Sequence, residues 1–112
     1  MPAVNAYIRD SKFLTQFDKA APALKSYIAE QLTCGDRTLQ PNEVSIRLLE
    51  PSGKDMLADV EMDIFAAAYK ERVDKQDEIC LNVRKFILDR IFGLDDAQVW
   101  LMLSELGHSQ ES

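Results

Sequence analysis

The chain has 112 residues, 46% of them hydrophobic and 29% charged, which suits one globular domain with a modest core. Thirteen basic residues against nineteen acidic ones leave a net charge of −6 with no run of Lys or Arg, which argues against nucleic acid and against an anionic membrane as partners. A small anionic ligand stays open, because two arginines can govern a pocket inside an acidic protein.

The two cysteines, Cys34 and Cys80, have no CxxC or Cys/His spacing, so they read as free reduced thiols. No basic stretch followed by an apolar one opens the chain, and no apolar run approaches the ~20 residues that span a bilayer. A cytoplasmic location is the expectation.

In chain order, Ala3 to Ile8 is rich in strand formers and stops at Arg9-Asp10-Ser11. A helical pattern follows at Phe13, Phe17, Ala20, Ala21, Leu24, Ile28 and Leu32, interrupted by Pro22, which predicts a helix from about Pro22 to Thr33. The segment 34–42 reads as a loop. Glu43 to Glu50 alternates, with Val44, Ile46 and Leu48 on one face and Ser45, Arg47 and Leu49 on the other. A turn over 51–55 leads to a second alternating strand, Leu57 to Ala66.

A second helix is expected from Val73 or Asp74, with an apolar stripe of Ile79, Val83, Phe86, Ile87 and Ile91 and with Gly93 as its C′ residue. The last strand is Gln98 to Glu105, and the tail after Gly107 is polar. The halves look alike: 23–32 sets against 82–91, and 43–46 against 98–101. Two βαβ units are therefore expected in one α/β domain over 1–112, with a pseudo-repeat of roughly 2–50 and 57–106. A four-stranded mixed sheet with both helices on one face buries both apolar stripes, since right-handed crossovers put them on the same side.

Three local features carry a family resemblance. Pro2 follows the initiator Met; Glu71-Arg72-Val73-Asp74-Lys75-Gln76 looks like the Gly-Arg-Ser-Asp-Glu-Gln stretch of 4-oxalocrotonate tautomerase; and Phe17 to Leu24 resembles the proline-bearing first helix of carboxymethyl-hydroxymuconate isomerases. With the βαβ repeat, the chain resembles the tautomerase superfamily over nearly its whole length. It departs from that pattern where Glu71 replaces the glycine before the arginine and where Trp100 occupies a last-strand position that is polar in some members.

The resemblance implies a cofactor-free keto–enol isomerase of small 2-oxo or 2-hydroxy-dienoate acids, assembled as a homo-oligomer, with a trimer favoured. Pro2, once Met1 is removed, would be the catalytic base. An α-amino group titrates near 7.7–8.0, and an apolar pocket with nearby cations lowers that value, leaving a neutral amine that can move a proton. Its alternative is an ordinary strand-opening proline, whose missing N–H does no harm at an edge. Arg72 would clamp a substrate carboxylate or enolate; otherwise it is a solvated arginine at a helix start.

Three further positions carry paired readings. Arg47 faces either the pocket or the acidic side of the next strand, where Asp59, Glu61 and Asp63 would pair with it. Trp100, with Met102 on the face away from the helices, forms either an apolar wall near Pro2 or a subunit contact. Tyr69 either donates to an oxyanion or is simply half-buried. Arg9, after the first strand, is a candidate of the same kind as Arg47. His108 is alone, so neither a metal site nor a nucleophile–base pair is expected. The competing view is a ferredoxin-like binding or structural module of the same element order, in which Pro2 is incidental.

Overall fold

The elements run β1 (Ala3–Ile8), α1 (Leu14–Leu32), β2 (Ser45–Leu49), β3 (Val60–Ala67), α2 (Lys70–Asp74), α3 (Gln76–Arg90) and β4 (Ala97–Ser104). The computed structural model describes residues 2–34, 38–51 and 58–104. The turn over 52–55, the start of the second predicted strand at Leu57, Glu105, Gly107 and His108 lie outside them.

The strands form one mixed sheet in the order β2-β1-β3-β4. β1 pairs with β2 in parallel and with β3 antiparallel, and β3 pairs with β4 in parallel. Two βαβ units therefore meet along β1 and β3. Val4, Ala6, Ile8, Val60, Met62 and Ile64 are fully buried beneath the helices, each alternating with a less buried neighbour. α1 and α3 share that side: Tyr27 stacks on Phe86 with centroids 4.4 Å apart, and Asn82 Nδ2 donates to Gln31 Oε1 at 3.0 Å. This is an α/β architecture with both long helices on one face of a four-stranded mixed sheet, as the sequence pattern implies. Among the described residues no helix is long and apolar enough to cross a membrane.

The first helix is longer than its sequence suggests, running through Pro22 from Leu14. A proline inside a helix costs about 3 kcal/mol. Phe17 lies on one side of it and Leu24, Ile28 and Leu32 on the other, each at most 2% exposed, and burying such side chains contributes about 1.5–3 kcal/mol apiece. The apolar anchors win, and the Pro22 ring sits at the exposed surface.

The second helix starts earlier than expected, at Lys70, and breaks at Lys75, whose φ of −110° and ψ of 16° leave helical geometry. That break lets α2 turn Arg72 inward while α3 keeps Ile79, Val83 and Ile87 on the sheet. α3 ends with Ile91 as C-cap, so Gly93 falls one position beyond the expected C′. Its φ of +84° is the left-handed conformation that favours glycine. Both backbone groups of Phe92 between them are held by Gln16, whose amide accepts from the N–H at 2.8 Å and donates to the carbonyl at 3.0 Å.

Candidate functional site

Arg72 is the one charged side chain buried among the described residues, at 3% exposure. Its Nε donates to the Leu32 carbonyl and an Nη to the Ala67 carbonyl, both at 2.9 Å, and its guanidinium carbon lies 4.8 Å from the Tyr69 ring centroid. Leu32 ends α1, whose terminal carbonyls lack helical partners and carry the negative end of the helix dipole. The cation thus complements the C-terminus of α1 rather than standing in water at the start of its own helix.

Beside it opens a cleft of about 260 Å3, lined by Glu30, Thr33, Cys34, Arg72, Lys75 and Glu78 among others. Cys34 is buried and Cys80, on α3, is half-buried; both thiols are free. Burial pushes the Cys80 thiol up, against an opposing backbone hydrogen bond at Leu101.

Pro2 is buried at the head of β1, in phase with the core residues Val4, Ala6 and Ile8, and its carbonyl accepts from Ser45 N–H at 3.1 Å. Because β1 and β3 are antiparallel with Ala3 opposite Phe65, β1 begins where β3 ends. Ala67, two residues beyond Phe65, is the residue that Arg72 holds. Pro2, Arg72 and Tyr69 therefore gather at one end of the sheet, though Pro2 does not line the cleft.

Arg47 and Trp100 belong elsewhere, on the sheet side opposite the described helices. The register sets Arg47, Asn5, Asp63 and Trp100 in one row across the four strands. Trp100 and Met102 are 43% and 40% exposed there, as strand alternation predicts, and Phe65 joins them at 39%. The expected pairing of Arg47 with the acidic strand is not formed, because β1 inserts between β2 and β3 and puts Asn5 beside both. Asp59 is engaged instead at the far end, its carboxylate accepting from Asp95 N–H at 3.1 Å and its carbonyl from Arg9 N–H at 3.0 Å.

The Asp63 carboxyl pKa is raised from its ordinary value, first because burial penalises its charge and second because Glu61 stands two residues away on the same side. Among the described residues no three His, Cys, Asp or Glu side chains come together to hold a metal ion.

The candidates thus fall into two groups, one at the end of the sheet and one on its open side, about 10 Å apart along β1 from Pro2 to the Asn5 row. The cleft residues Glu30, Thr33, Lys75 and Glu78 escaped sequence reasoning. They come from two helices that only the tertiary fold brings together, and Arg72 was the single signal pointing there.

No protein-family model matches the chain, and no curated protein matches it. Among solved structures, a domain of unknown function (DUF1904) from Sebaldella termitidis ATCC 33386 is similar at 17% identity, covering 95% of this chain and 89% of that one, with a TM-score of 0.46.

Proposed function

We propose that the chain is a cofactor-free keto–enol isomerase of the tautomerase type, acting on a small 2-oxo or 2-hydroxy-dienoate acid with the amine of Pro2 as general base. The observation that carries this reading is the burial of Pro2 at the same end of the sheet as the buried Arg72 cation. Removal of Met1 would free a secondary amine there. Burial and a neighbouring positive charge both disfavour its ammonium form, which suits a base working near neutral pH. Arg72 and Lys75 supply positive charge for the substrate carboxylate, and Glu30, Glu71 and Glu78 along the cleft restrict it to compact anions that reach that charge directly.

Tyr69 acts through its contact with Arg72. Trp100 and Arg47 serve the same site only from a neighbouring copy, so a homo-oligomer belongs to the reading, and the cytoplasm is its place of action. Nucleic acid and membranes are not its partners.

The test is ketonisation of phenylenolpyruvate and 2-hydroxymuconate by untagged protein shown by intact mass to lack Met1, alongside Pro2→Ala. Turnover that collapses in the variant supports the base. Equal turnover in both, or none in either, removes it. The second reading, a non-catalytic oligomer, is favoured by the open sheet side, where Phe65, Trp100 and Met102 lie exposed.

A further inference from the structure

The two edges of the sheet are finished differently. Along β4 the outward carbonyls of Ala97 and Leu101 are taken by α3, with Arg84 Nε donating to the first at 2.8 Å and Gln76 Nε2 to the second at 2.7 Å. Side chains thus close that edge, which keeps a free strand from pairing. β2, at the opposite edge, has no such cover. Its parallel register and the Ser45 N–H bond to the Pro2 carbonyl aim the backbone groups of Ser45, Arg47 and Leu49 at β1. Those of Ile46 and Leu48 therefore point outward, and among the described residues nothing bonds them.

Beside this edge α1 leaves a groove. Two hollows of about 280 and 410 Å3 share Asp18; Leu14 and Leu48 line the first, and Pro22, Lys25 and Asn42 are among the residues lining the second. Leu14 to Lys25 covers about 16 Å of helix, and the five residues of β2 cover about 16 Å of strand. Groove and free edge thus run side by side over one length. Asp18 is exposed and has no cation within 4.0 Å among the described residues.

We propose that β2 takes an extended segment of a partner protein as a fifth, antiparallel strand, one with a basic side chain two residues after an apolar one. Strand addition of this kind draws its affinity from main-chain hydrogen bonds and its specificity from pockets for alternate side chains. The added residues opposite Leu48 and Ile46 exchange backbone hydrogen bonds with them. Directly opposite residues share a face, so these two also turn their side chains toward α1. Leu14 and Leu48 receive the apolar one. Asp18 lies one turn from Leu14, about 6 Å along the axis, and a two-residue step along a strand is about 6.6 Å, so the basic side chain reaches it. The next residue on that face heads toward Lys25, which suits a carboxylate. A net charge of −6 also draws basic segments from a distance. The inference holds whether or not Pro2 is a base.

Amide shifts of the ¹⁵N-labelled full chain test it, titrated with the end-blocked peptide Leu-Thr-Arg-Thr-Glu. Saturable shifts at Ile46, Leu48 and Asp18 are expected, with a dissociation constant below about 1 mM. Asp18→Lys should weaken binding at least about 10-fold. Glutamate in place of the peptide arginine should restore that variant to within about threefold of the original pair. Methylating the arginine's backbone nitrogen removes the donor to the Ile46 carbonyl and should also weaken binding at least about 10-fold. Circular dichroism checks that Asp18→Lys stays folded, and the methylated peptide tests the edge without any change to the protein. No saturable shift up to about 2 mM peptide, shifts confined to other surfaces, affinity unmoved by Asp18→Lys, or equal affinity for the methylated peptide would each overturn the proposal. So would β2 amides that shift on dilution of the free protein, since a second copy would then hold the edge.

Discussion

The two sides of the sheet are built from the same strands by alternate residues, yet they answer to different demands. Beneath the helices Val4, Ala6, Ile8, Val60, Met62 and Ile64 are wholly buried and wholly apolar. On the other side Asn5, Arg47, Asp63 and Trp100 share a row of mixed charge, amide and aromatic. The first side holds the protomer together. The second contributes little to its stability and keeps groups that want a partner.

Substitutions sharpen that contrast. Phe17→Ala, in the helix-covered core at 1% exposure, should cost about 4 kcal/mol. Trp100→Ala, larger in chemistry but 43% exposed, should stay within about 0.5 kcal/mol in dilute protein. Urea denaturation of both reads the difference, and equal losses would erase the distinction between the sides.

Arg72 tests the same boundary from the other direction, since it is the polar group that the buried side admits. Arg72→Met leaves the Leu32 and Ala67 carbonyls without their donor and should lose about 3 kcal/mol, measured by the same unfolding curves. Arg72→Lys should recover only part of that, because a single ammonium does not reproduce the planar fork. Full stability in both variants would show that the arginine has no structural duty.

Smaller effects are expected at the surface. Gln16→Ala removes both side-chain bonds to Phe92 and should cost about 1 kcal/mol by thermal melting. Asp63→Asn should stabilise the dilute protein at neutral pH. The sign follows from a folded pKa raised above 3.8: the native chain holds the proton more tightly than the unfolded one, so stability falls as pH rises through that window. The penalty is fully present above the folded pKa and absent below 3.8, so melting curves of the two proteins should converge in acid.

Much of the helix-covered side was legible in the sequence because period-2 and helical stripes report burial directly. β1 has the predicted bounds of Ala3 to Ile8, and the stripe at Ile79, Val83 and Ile87 faces the core. Trp100 and Met102 were placed on the right side by alternation alone. Strand order was not legible: a reading in chain order set Arg47 against the acidic face of Asp59, Glu61 and Asp63, and the crossover topology put β1 with Asn5 between the two strands. Pro22 misled locally, since its cost is set against tertiary contacts at Phe17 and Leu24 that no local window contains. Arg72 was singled out, but its carbonyl partner at Leu32 is 40 residues away, and the cleft beside it exists only once α1 and α3 are packed.

The most direct test of the catalytic reading is an NMR titration of the Pro2 amine in ¹⁵N-proline-labelled protein freed of Met1. The expected result is a pKa clearly below the ~7.7–8.0 of an unperturbed α-amine, lowered by burial and by the Arg72 charge, and rising when Arg72→Met removes that charge. A value at or above that range, unmoved by the substitution, would contradict Pro2 as a base poised for neutral pH.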